Sequence, residues 1–374
     1  MEMTASAPAR GRKRRYIAMV VLVAALFAAW SGFWYFAAGQ AHTVLEGWRT
    51  REAKSGRAYA CGSETIGGYP FRMEFACDQA SAVFATPPLE LKLSRVLVAA
   101  QVYQPTLLIS EFTGPISIAD AGKPPTLAAN WSLGQASVRG TPASPERISL
   151  SFDDPVVERV GGGNSETWLR AKHLELHGRI AEGSAADKPV IETVLRLEQA
   201  SIPGFHPAAV QPMDAEMTAV IRGLNDFAPK PWPVRFREIQ QADGRIDITQ
   251  VRIDQGDILA VGNGTLSINP AGRLEGQLQV TISGLETFLD KIGAQRIVQN
   301  SPTMDRLAGA LNRLAPGLGN LARQQAGANI SAGINMLGQQ TTLEGKPAVA
   351  LPLRFTDGAV FLGPIPIGNT LPLF

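Results

Sequence analysis

From residue 57 onward, apolar and polar positions alternate with a period of two, with one long interruption near residues 285–327. Phe71, Met73, Phe75 and Cys77 alternate with Arg72, Glu74 and Ala76. Leu89, Leu91 and Leu93 alternate with Glu90, Lys92 and Ser94, and Ile148, Leu150 and Phe152 with Ser149 and Ser151. Ile191, Thr193, Leu195 and Leu197 follow, then Met213, Ala215, Met217, Ala219 and Ile221. This pattern marks antiparallel strands with one apolar face and one wet face. Residues 244–283 read as four strand-like pieces: Ile246/Ile248, Ile258/Ala260, Leu266/Ile268 and Leu274/Leu278/Val280/Ile282. Asp254-Gln255-Gly256, Gly262-Asn263-Gly264 and Asn269-Pro270-Ala271-Gly272 separate them, as in an up-and-down meander. Loops are expected at 120–126, 140–146, 160–165, 182–189 and 225–233. The last is read either as a subdomain seam or as a plain surface loop.

The interruption has a helical period. Leu285, Phe288, Leu289 and Ile292 share one helix face, and so do Met304, Leu307, Leu311 and Leu314. Residues 285–327 are therefore expected to be an amphipathic helical segment covering part of the sheet. Residues 328–374 return to strands, with Val349, Leu351, Leu353 and Phe355 alternating before an Asp357-Gly358 turn. The predicted fold is mainly β: an N-terminal transmembrane helix, an extended, curved antiparallel sheet over 57–284 and 328–374, and a helical insertion near the C-terminus.

Residues 16–38 carry no charge over 23 positions, and at ~1.5 Å per residue they reach ~34 Å, enough for a hydrocarbon layer of ~30 Å. Tyr16 opens the run, and Trp30, Phe33, Trp34, Tyr35 and Phe36 crowd its far end like an interfacial aromatic belt. Five basic residues among positions 1–15 place that tail in the cytoplasm and the rest of the chain across the membrane. The competing reading is a cleaved signal peptide, with Gly39-Gln40-Ala41 as a weak site, but its apolar stretch would be shorter. Residues 39–56 are expected to continue as a juxtamembrane helix, with Gly56 ending it.

Charge follows this topology. The net charge is +2, yet without residues 1–15 the chain has 30 Lys+Arg against 32 Asp+Glu. The basic balance belongs to the tail, so no general nucleic-acid surface is expected. Gly 37 and Pro 26 exceed what a helical bundle carries and fit many turns between strands. The only cysteines, Cys61 and Cys77, would lie in an oxidising compartment, where a structural disulfide is expected. Their spacing does not resemble a Cys-x-x-Cys redox pair.

Candidate chemistry is sparse. Walker-type, His-Glu-x-x-His, Gly-x-Ser-x-Gly and calcium-loop motifs are absent. Gly161-Gly162-Gly163 lacks a following helix signal and reads as a turn. His173, Glu175 and His177 alternate with Leu174 and Leu176, which puts the three polar groups on one strand face. Such a face is ordinarily solvated, so no metal site and no cofactor are expected. Asp153-Asp154 before Pro155 reads as a strand end; a cleft joining Asp153, His173 and His177 would instead favour a hydrolase. Gly67-Gly68-Tyr69-Pro70-Phe71-Arg72 has two readings. It is a loop presenting Tyr69 and Arg72 to a partner or lipid headgroup, or a stapled hairpin whose Tyr69 caps the core near the membrane.

Tyr59-Ala60-Cys61, Gly67-Gly68-Tyr69-Pro70-Phe71-Arg72 and Cys77, with Leu351-Pro352-Leu353-Arg354-Phe355, Asp357-Gly358 and Leu362-Gly363-Pro364, resemble the bacterial envelope family called domain-of-unknown-function 2125. The resemblance implies an alphaproteobacterial envelope protein and carries no catalytic residues. Gly264-Thr265-Leu266-Ser267-Ile268 and Gly272-Arg273-Leu274-Glu275-Gly276 more loosely resemble AsmA-like envelope proteins. That likeness implies a curved sheet with an apolar inner face and a role in phospholipid movement. The expected function is an inner-membrane-anchored, periplasmic, non-catalytic lipid-handling module with membrane lipid as its partner. The alternatives are a structural or interaction protein that supports envelope machinery, with a self-covered sheet, no ligand and a possible envelope protein partner, and an envelope hydrolase.

Overall fold

The computed structural model describes residues 10–141, 144–161, 163–204, 207–228, 230–293, 312, 338–363 and 365–374. One helix, α1 (Arg10–Lys54), leads into a mostly β chain. The first strands are β1 (Arg57–Ala60), β2 (Ser63–Gly67), β3 (Arg72–Ala85), β4 (Pro88–Gln101) and β5 (Gln104–Asp120). Next come β6 (Pro125–Asn130), β7 (Leu133–Thr141), β8 (Ser144–Asp153), β9 (Val156–Gly161), β10 (Asn164–Arg170), β11 (His173–Ser184) and β12 (Asp187–Ala200). Then follow β13 (Met213–Ile221), α2 (Trp232–Gln241), β14 (Arg245–Gln255), β15 (Ile258–Ile268), β16 (Leu274–Ser283) and α3 (Leu285–Lys291). The chain closes with β17 (Gln339–Leu343), β18 (Lys346–Thr356), β19 (Ala359–Leu362) and β20 (Ile365–Asn369). All described strands belong to one antiparallel sheet in which sequence neighbours mostly pair, so the expected β class and meander hold.

The apolar run of residues 16–38 and the segment 39–54 after it belong to a single 45-residue helix. Gly56, at φ 77°, ends it in the left-handed region that glycine enters without steric cost. The expected loops at 140–146 and 182–189 are shorter than predicted, because β7, β8, β11 and β12 run further into them.

Two expectations need correction. Residues 244–283 form three strands, because Gly262-Asn263-Gly264 lies inside β15. There the glycines serve close approach: a Cβ on Gly264 would strike the Gln277 carbonyl and the Leu278 Cα of β16. Residues 225–228 and 230–231 have no regular structure, as the loop reading expected, but Trp232-Pro233 already belong to α2, and β13 pairs with β14 across the segment. Trp232-Pro233 supplies the proline at a helix start, a signal that the loop reading passed over. Of the expected 285–327 helical segment, α3 carries the first face with Leu285 and Leu289 buried. Met304, Leu307, Leu311 and Leu314 lie outside the described residues.

A row of irregularities crosses the first half of the sheet. It runs through Gln79, Ser94, Gly114-Pro115, Trp131-Ser132, Asp154-Pro155, Ala171-Lys172 and Gln199, which stand opposite one another in the strand register. Gln79, Asp154 and Gln199 have positive φ near 50°. An extra residue at such a point reverses which positions face each side. In β3 the apolar set accordingly changes from Phe75 and Cys77 to Ala80 and Ala82. The reversal keeps one face apolar along the whole strand.

Core packing is concentrated in the second half. Leu266, Leu278, Val280, Ile282, Leu351 and Leu362 are buried together, with Leu285 and Leu289 of α3. A smaller cluster of Ile191, Leu224, Ile239 and Ile268 is closed by Phe236 of α2 and by Leu373 and Phe374 at the C-terminus.

Candidate functional site

The register shows one apolar face crossing the sheet. Phe75 pairs with Val98, Val98 with Ser110 and Ser110 with Ala136. Ala136 pairs with Leu150, Leu150 with Leu176, Leu176 with Leu195 and Leu195 with Met217. Met217 packs against the buried core of the second half. In the first half, by contrast, Phe75, Val98, Leu150 and Leu195 are only half-buried and Leu176 is 39% exposed. No described element covers this stretch beyond α1 at its edge. A long apolar surface therefore runs from a closed core to the N-terminal edge of the sheet.

That edge is held by α1. Trp48 stacks on Tyr59 at 4.8 Å, and the Arg49 guanidinium lies over Phe75. The Cys61–Cys77 disulfide ties the chain ahead of β2 to β3. Lower on the helix, the Gly67–Arg72 turn docks instead of standing free. Trp30 Nε1 donates to the Pro70 carbonyl at 2.8 Å, and Trp34 Nε1 to the Arg72 carbonyl at 3.0 Å. The Tyr69 hydroxyl pairs with Ser31 at 2.8 Å, and its ring meets Phe27, Trp34 and Tyr35. Arg72 pairs with Glu74 at 2.7 Å. Trp34 is 5% exposed, whereas Tyr16, Tyr35 and Phe71 remain open.

The opposite face is polar. His173 Nδ1 lies 2.5 Å from Asp153 and its Nε2 3.2 Å from Glu175, which also meets His177 and Arg196. Asp153, His173 and His177 therefore share one network, as their alternation allows. Both His173 nitrogens face carboxylates, and the adjacent recess of about 580 Å³ is lined by Trp131, Ser132 and Asp154, not by the histidines. The hydrogen bond to Asp153, aided by Glu175, holds the His173 imidazole above its ordinary value near 6.5. Its hydrogen bonds from His173 and His177 hold the Glu175 carboxyl below its ordinary 4.5. A raised histidine stabilises the fold fully below pH 6.5 and loses that contribution as pH rises through its folded value. Histidine-selective NMR of the full chain in detergent should show His173 titrating above 6.5 and Asp153→Asn lowering its midpoint. An unchanged midpoint in Asp153→Asn would reject the pairing.

Among the described residues, His42, Glu46 and Glu64 approach closely enough to hold a cation. Arg49 already occupies that role, at 2.6 Å from Glu64 and 3.1 Å from Glu46. The buried charge network on α2 was not visible as a motif. Arg235 bonds Glu238 and Asp226, and Lys230 bonds the same two carboxylates. It fixes the α2 cap over one end of the sheet.

Among the described residues, one long apolar helix joined to one broad amphipathic sheet defines a protein with one candidate membrane span and a β body. Residues 34–370 match the family described as "Uncharacterized protein conserved in bacteria (DUF2125)", and the chain belongs to that family. A search of curated proteins finds no match.

Proposed function

We propose that the protein is a membrane-anchored, non-catalytic module of the bacterial envelope that holds lipid acyl chains against the apolar face of β3–β12. In this reading α1 is an uncleaved single-pass anchor, its basic N-terminus is cytoplasmic and the sheet is periplasmic. The observation that carries the reading is the contrast within one continuous apolar face. Leu351 and Leu362 are 1% and 2% exposed in the second half, whereas Leu176 is 39% exposed in the first. Open apolar area costs about 25 cal/mol per Å², and each buried acyl methylene contributes about 0.8 kcal/mol, so a chain of several methylenes would fill such a face. An acyl chain is the favoured occupant because the open face begins beside the apolar helix.

The test places benzoylphenylalanine at Leu176 on the apolar face and at Arg196 on the polar face. The full chain is irradiated in phosphatidylethanolamine–phosphatidylglycerol vesicles. Phospholipid adducts at 176 and none at 196 are expected. Absence of lipid adducts at 176, or crosslinks from 176 to the chain's own residues 294–337, would overturn the lipid reading and leave a self-covered structural protein.

A further inference from the structure

We propose that the Tyr69-Pro70-Phe71 tip, with Tyr103 beside it, is immersed in the bilayer leaflet on the sheet's side. The proposal rests on α1 being a membrane span. Its argument is one of lengths. The basic cluster ending at Arg15 keeps the hydrocarbon from starting much before Tyr16, since an arginine at depth is costly even on insertion scales. A core of ~30 Å then needs ~20 helical residues and ends near Phe36. The tip, however, touches α1 at Phe27, Trp30, Ser31, Trp34 and Tyr35. At ~1.5 Å per residue, Ser31 lies ~8 Å and Phe27 ~13 Å below that boundary. Tilting the helix lengthens the immersed stretch, so it carries the tip deeper. For the tip to stay outside, the span would shrink to the residues before Phe27, ~16 Å, far short of the hydrocarbon thickness.

The chemistry of the tip suits that depth. A carbonyl in hydrocarbon is costly unless it finds a donor within the protein, and four carbonyls at the tip do. The Pro70 and Arg72 carbonyls accept from Trp30 and Trp34, the Phe71 carbonyl from the Val102 N–H, and the Gly68 carbonyl from the Arg72 N–H. Pro70 has no N–H to satisfy. Phe71 is 63% and Tyr103 73% exposed, although both are large aromatics. Arg72 stands at the Trp34 level, ~3 Å below the boundary, where its guanidinium reaches headgroups. The tip is followed on the apolar face by Met73, Ala100 and Leu108, so hydrocarbon and groove meet without an intervening polar rim.

Benzoylphenylalanine introduced singly at Leu22, Phe71, Tyr103 and Val83 of the full chain, in phosphatidylethanolamine–phosphatidylglycerol vesicles, tests this. Leu22 lies mid-span, and Val83 lies at the other end of β3. Lipid adducts at 71 and 103 in yields comparable with 22, and none at 83, are expected. Adducts at 22 without adducts at 71 and 103 would overturn immersion while leaving the span intact. No adduct at 22 would overturn the span itself, and the immersion with it.

Discussion

Replacing Arg235 by alanine is expected to lower the stability of the β body by about 3–5 kcal/mol, the cost of leaving a buried carboxylate without its partner. Arg235 and Glu238 are 9% and 6% exposed, and their side chains meet at 2.8 Å. Arg235 also donates to the Asp226 and Ala228 carbonyls and to the Asp226 carboxylate. Alanine would remove all of these at once. Glu238 would keep only Lys230 and the Asn225 N–H. Burial pushes the Glu238 carboxyl up, but the bonds from Lys230, Arg235 and Asn225 outweigh it and hold the group below its ordinary 4.5. A lowered carboxyl gives its stabilisation in full above pH 4.5 and loses it as pH falls through the folded value. Thermal melting of the full chain in detergent should therefore fall by several degrees in Arg235→Ala, and the gap from the native chain should narrow in acid. A melting point within one degree of the native chain at pH 7 would show that the network contributes little.

Removing the disulfide is the second large effect. Cys61 and Cys77 are 16 positions apart, and closing such a loop is worth about 3 kcal/mol in the chain-entropy account. Cys77 is 4% exposed, so its loss also opens space under the α1 contact. The Cys61→Ala/Cys77→Ala double variant should melt well below the native chain, and reductant should lower the native protein toward it while leaving the variant unmoved. Identical melting of native and variant would sink the structural role. Because the bridge steadies β2 and β3, whose connecting turn docks on Trp30 and Trp34, the variant should also loosen that docking. Emission from the buried Trp34, read with the other five tryptophans replaced by phenylalanine, would report it.

Much of this was legible locally. Strand alternation at Leu89–Leu93, Ile148–Phe152 and Met213–Ile221 identified the apolar face because a period of two leaves no other way to bury those side chains. The glycines of β15 misled the turn reading. Glycine marks both turns and close strand approach, and only the neighbouring strand distinguishes them. The α2 helix was hidden because its core-facing set is short and its buried members include Arg235 and Glu238, which read as surface charges.

By itself the sequence determined the apolar helix, the β class, the disulfide pair and the two-sided character of the sheet. Each follows from spacing and composition along the chain. Only the tertiary structure decided that, among the described residues, the apolar face is covered in β13–β20 and uncovered over most of β3–β12, since coverage depends on which elements return over the sheet. It also decided that the Tyr69 turn folds back to the level of Phe27, because α1 and the β2–β3 hairpin run antiparallel. That depth is a distance between segments some 40 residues apart, and no local pattern encodes it.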